Sequence, residues 1–381
     1  MAHSAHLAML PLLALLALVG IAGTLAAPLV ADASVPARVH LTFAIGIAPL
    51  ILSALGYFVP VLTRSAPAPA SVLGAPFVAL AAGIVAVAYF AAPEAWPLAY
   101  VAAALIELAA AGVVLAWMLG RIRASIGTPH PCIRWYVAAT ACLAAALAIV
   151  LAMPLAPEQY LALKRLHLHL NLLGFVGLTA VGTLQVLVPT AAGAADPRAA
   201  ARLDADLKWA LAGTVLIAVG AAWLPLAAAA GLFLWLSLAI RIARDWFTLY
   251  PDRLLAWHGA PPSLAGALAG FTIMLVLGAL HGGGSLDARD AVLAFILAFL
   301  LPLVTGALSH LLPIWLRPGP QTAWHDDVRS ALGRYAGVRA CLFVAGGTLI
   351  GFGFAVGAAL AAIGLALFVV QGARAVAALR D

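Results

Sequence analysis

Two histidines one residue apart, His167 and His169, stand at the head of the apolar run "HLHLNLLGFVGLTAVGTLQVLVP". A polar ring at the edge of a hydrocarbon segment costs free energy unless something binds it. A neutral imidazole can ligate a metal through one nitrogen while the other holds a hydrogen bond. In a helix, positions i and i+2 point about 200° apart, so the two rings face different sites. The i, i+4 pair of a zinc helix puts both on one face instead. His40 opens a second apolar run, "HLTFAIGIAPLILSALGYFVPVL", and His281 ends a third in "GALHGGGS". Glu107 lies mid-run in "AAALIELAAAG", where a carboxylate costs at least ~2.5 kcal/mol. It is either a hydrogen-bonded packing residue or a proton carrier.

The elements that carry these residues are membrane spans. The chain has 381 residues, 65% hydrophobic and 9% charged, with a mean hydropathy of +1.11. Soluble domains carry roughly 25% charged residues. Runs this long and unalternating select helices over barrel strands, because lipid offers the backbone no partners. The expectation is an all-α polytopic protein of about twelve helices, residues 1–381 forming one membrane domain. The second, sixth and tenth runs fall near 39–62, 166–189 and 290–314, and the last two near 336–354 and 356–376. The first run, near 8–27, is read as an uncleaved helix, since "MAHSAHLAML" has no Lys or Arg for a signal-peptide n-region. Sixteen of the 20 Lys and Arg fall in loops on one side, against Arg38, Lys164, Arg165 and Arg289 on the other. By the positive-inside rule both termini are then cytoplasmic, as in a bacterial-type inner membrane protein, and His40, His167 and His169 lie outside. Basic residues spread over many short loops argue against nucleic-acid binding. Cys132, Cys142 and Cys341 lack CxxC spacing and receive no role.

The second, sixth and tenth runs end alike, in "LGYFVPVLTR", "GTLQVLVPTA" and "GALSHLLPIWLR". Their prolines, Pro60, Pro189 and Pro313, are 129 and 124 residues apart, which suggests three pseudo-symmetric four-helix units. Twenty residues before each proline stand His40, His169 and Leu293. Two of three equivalent positions are histidine.

These motifs resemble the catalytic subunit I of the haem-copper oxidases. The run "HLTFAIGIAPLILSALGYFVPVL" looks like that subunit's second helix, and the HxH doublet like its two-haem helix. Here the doublet is on the sixth run, Leu293 occupies the tenth, and the seventh has no histidine pair, so a three-histidine copper site is not expected. The reduced histidine set is nearest the NnrS family, similar membrane proteins that carry haem and copper and are linked to nitric oxide metabolism. The resemblance implies a haem b held by His40 and His169, and a second metal, copper, held by His167 with His281. It further implies a role in nitric oxide or respiratory redox metabolism, with a small gas ligand and an electron donor as partners beside membrane lipid. Turnover of a substrate stays open.

The rival reading is a secondary transporter, in which repeats and twelve helices are equally at home. Transporter repeats bring polar groups to the midplane, which here offers little beyond Glu107 and Gln185. Asn171 and Gln185 are expected to bond between helices, and His310, one turn before Pro313, to serve local packing. His3, His6, His130, His258 and His325 are expected to be solvated.

Overall fold

The structure is a computed structural model that describes residues 2–30, 34–287 and 290–377, with side chains over 9–27, 34–287 and 290–375. Arg289 and Arg380, counted above for orientation, and the side chains of His3 and His6 lie outside the described residues. The described chain is helical, with no strand among those residues. Among the described residues, eleven helices are long and apolar enough to cross a membrane. We number the long helices α1 (Ala2–Val30), α2 (Val35–Thr63), α3 (Ala70–Ala91), α4 (Ala99–Ala124), α5 (Cys132–Ala152) and α6 (Tyr160–Ala192). They continue as α7 (Ala199–Ala222), α8 (Pro225–Leu249), α9 (Pro261–Gly282), α10 (Ala291–Leu316), α11 (Ala336–Gly351) and α12 (Val356–Ala377). The expected eleventh span is shorter than its fellows: α11 has 16 residues and stops before Phe352, short of the 20 or so a full crossing takes.

Two compact units divide the chain, Met1–Thr183 with Arg198–Leu234, and Leu184–Pro197 with Trp235–Asp381. The division passes through α6 and α8 and so does not follow the four-helix repeat.

The repeat is written into the backbone. Helices α2, α6 and α10 each contain a π-helical stretch, Leu41–Ile47, Leu170–Leu178 and Ile296–Leu300, upstream of the shared proline. In α2 and α6 it begins at the residue after His40 and His169. These two helices also end alike. Four residues past the proline the chain turns left-handed, at Arg64 (φ 49°) and Gly193 (φ 69°). One residue further, the N–H of Ser65 donates to Pro60 O (3.0 Å) and that of Ala194 to Pro189 O (3.2 Å), a Schellman-type closure. In α10, Arg317 keeps a negative φ and its N–H donates to Pro313 O at 3.0 Å.

A π turn holds an extra residue per turn and is rarely kept without local compensation. The compensation is glycine on the neighbouring helices. A Cβ on Gly20 of α1 would lie 2.8 Å from Leu41 O, and one on Gly83 of α3 would lie 2.3 Å from Ala44 O. In the second unit, Gly270 of α9 and Gly347 of α11 press on Ala298 in the same way, at 1.8 Å from its O and 2.4 Å from its N. On the sixth helix the small residue is its own: Gly174 abuts Cys142 of α5.

Candidate functional site

In the first unit, α2 carries His40 and α6 carries His167 and His169, each just ahead of its helix's π stretch and each ring half-buried. Ser34 caps α2, its hydroxyl accepting the N–H of Ala37 (3.3 Å), and Pro36 sits in the first turn, where a missing N–H goes unneeded. The carbonyl of Pro36 then receives Nδ1–H of His40 at 2.7 Å. His169 does the same one repeat later, Nδ1–H to Arg165 O at 2.8 Å. His167 instead reaches across to α5, where Nδ1–H meets Ala146 O at 2.9 Å.

A carbonyl oxygen can only accept, so in all three rings Nδ1 carries the proton. Each neutral imidazole therefore presents an unprotonated Nε2. A backbone carbonyl that fixes the tautomer and aims the free nitrogen is the usual support of a ligating histidine. The rings differ in company. Phe90 of α3 packs on His40 with centroids 4.5 Å apart and planes inclined by 35°. The charged neighbour of His169 is Arg165.

His281, in the second unit, has the opposite tautomer. Its Nε2–H donates to Gly351 O at 2.9 Å, and its Nδ1 is buried with no hydrogen-bond partner. A buried lone pair left bare costs roughly 1–3 kcal/mol. Among the described residues, no three His, Cys, Asp or Glu side chains converge as a metal cluster. Glu107 is buried on α4 of the first unit, and no described residue bonds to its carboxyl.

Several side chains sit otherwise than expected. Asn171 does not bridge helices: its Nδ2 donates to His167 O in its own helix at 2.9 Å, because the i−4 carbonyl is the nearest acceptor. His325 is not solvated. It is 3% exposed, with Nε2–H on Arg317 O (2.8 Å) and Nδ1 accepting from Thr322 in a capping box. Arg339, assigned to a loop, is fully buried in the first turn of α11, where its guanidinium donates to the carbonyls of Leu332 and Arg334. Sequence reasoning missed Phe90, for which an aromatic 50 residues from His40 gives no signal, and the π stretches, whose trace is the glycines on other helices.

Comparison with protein-family models finds no match, and comparison with curated proteins finds none either.

Proposed function

We propose that the protein is a haem b binding membrane protein of the haem-copper oxidase subunit I type, nearest the NnrS family, acting in nitric oxide or respiratory redox metabolism. One observation carries the reading. His40 and His169, 129 residues apart, share one local structure: Nδ1–H on the i−4 carbonyl, a π turn beginning at the next residue, and a free Nε2. Two imidazoles prepared alike on two repeats suit the axial positions of a b-type haem. The haem would supply one-electron exchange with a donor.

The protein's own part is to fix the rings. The carbonyls of Pro36 and Arg165 hold the tautomers, and Phe90 covers one face of His40. His167, whose ring faces away from that of His169 in the sequence reading, would serve the second metal, copper. The Lys and Arg distribution supports cytoplasmic termini, and this reading carries with it a bacterial-type inner membrane.

Optical spectra of the purified protein, oxidised and then reduced, test the proposal, with His40→Ala, His167→Ala and His169→Ala beside the native chain. Low-spin b-type bands that vanish in His40→Ala and in one doublet variant name the axial pair. A flat visible region in haem-replete preparations rejects the reading and leaves the transporter.

A further inference from the structure

The second unit holds a half-open pocket of about 590 Å³ at the proline end of α10, remote in the chain from the outer histidines. Its lining gathers Arg253, Arg329, Arg334, His258, His310 and Ser330, and includes no Asp or Glu. Arg253 and Arg334 are exposed at its mouth and Arg329 is half-buried, and guanidiniums gathered on one side of an open pocket raise the local potential that attracts an anion. Arg329 is already engaged, by Asp326 at 3.0 Å and by Gln321. Arg253 and Arg334 form no ion pair among the described residues.

The cavity is a built feature. Residues 256–260 and 333–337 are laced together by Gly259 N–H to Gly333 O (2.8 Å) and Gly337 N–H to Trp257 O (3.2 Å). Gly259 takes φ 92°, and a Cβ on Gly333 would lie 2.9 Å from the Gly259 Cα, so both positions need glycine. The buried Arg339 grips the carbonyls of Leu332 and Arg334, which sets the loop that carries Arg334. Tyr335, left-handed at φ 57°, donates its N–H to His258 Nδ1 at 3.0 Å, so the neutral His258 carries its proton on Nε2 as a second donor. The Arg334 guanidinium lies over the Tyr335 ring, 5.3 Å from its centroid.

We propose that this cavity is a binding site for a phosphate-bearing anion. Forked guanidinium donors, imidazole and hydroxyl are the groups that match tetrahedral phosphate oxygens. The volume exceeds what a bare phosphate fills and falls in the range of small-molecule sites, so the ligand is a phosphate ester. Such an ester reaches a membrane protein either as a soluble metabolite or as the headgroup of an anionic phospholipid.

The test uses the full chain in neutral detergent and two probes. Sodium phosphate is titrated against sodium chloride of equal ionic strength, and separately the protein is reconstituted into phosphatidylglycerol or phosphatidylcholine vesicles, thermal unfolding being read in each. Stabilisation by phosphate points to a soluble ester; stabilisation by phosphatidylglycerol alone points to the headgroup. In either arm Arg253→Gln and Arg334→Gln should each weaken binding about tenfold to a hundredfold. Arg374→Gln, on α12 and not in the lining, should leave it unchanged. Without anion, both lining variants should be at least as stable as the native chain, since repulsion is relieved, which separates lost binding from lost folding. No stabilisation by either probe, or native binding in both lining variants, overturns the proposal.

Discussion

Replacing Gly83 by Ala should loosen the end of the first unit that holds His40. The new Cβ would stand 2.3 Å from Ala44 O and 2.5 Å from its carbonyl carbon, against 3.4 Å or more for ordinary contact. Both atoms are backbone atoms of the π stretch of α2, so no flexible side chain can swing away. Helix α3 must therefore retreat by about 1 Å, and a gap of that size forfeits a quarter to a half of the dispersion at the contact. Overpacking of this kind costs ~1–3 kcal/mol. Gly74, on the same helix, has nothing within 4 Å of its Cβ position, and Gly74→Ala should stabilise by ~0.5–1 kcal/mol through helix propensity alone. The contrast removes any general effect of alanine on α3. Phe90 lies seven residues beyond Gly83, two turns along the same face, so its contact with His40 should open too. Reversible unfolding in mixed detergent micelles gives the two stabilities. Equal effects of the two substitutions would refute the account of the π stretch as a wide segment seated against glycines.

Arg64, at φ 49°, strains a position that Gly193 fills without cost in the next repeat, so Arg64→Gly should stabilise by ~1 kcal/mol and Gly193→Ala should destabilise by a similar amount, both read by unfolding. Trp135 is fully buried and its indole N–H donates to Leu203 O at 2.8 Å; Trp135→Phe should cost ~1 kcal/mol through the lost hydrogen bond, besides the smaller ring. Burial holds the His130 imidazole below its ordinary 6.5, while its Nδ1 accepts the Cys132 N–H at 3.3 Å ahead of α5. The unfolded chain then binds the proton more readily, so this contribution is complete above pH 6.5 and fades as pH falls below it; unfolding at pH 7.5 and 5.5 should show a slope that His130→Gln reduces. A reporter fused at the C-terminal end, past the described residues, should be active only in the cytoplasm; activity outside would invert the orientation.

Composition and run length alone determined that this chain is an all-α membrane protein, because a lipid solvent leaves the backbone no other solution at this hydropathy. The three-fold repeat was equally legible. Proline has a fixed backbone consequence wherever it stands, so Pro60, Pro189 and Pro313 marked equivalent places before any contact was known. His40 and His169 were found by counting from those prolines, and their hydrogen bonds to Pro36 and Arg165 are local, within one helical turn. Tertiary structure decided what counting could not reach. The turn of His167 towards Ala146 depends on which helix packs beside α6, and nothing in "HLHL" encodes a neighbour. The basic cavity is the extreme case. Arg253, His258, His310, Arg329 and Arg334 come from separate segments, each bland by itself: a loop charge, a solvated histidine, a packing histidine before a proline. Only the lacing of residues 256–260 to 333–337 sets the three guanidiniums around one space, because electrostatic energy depends on distance through space and the chain order carries none of it.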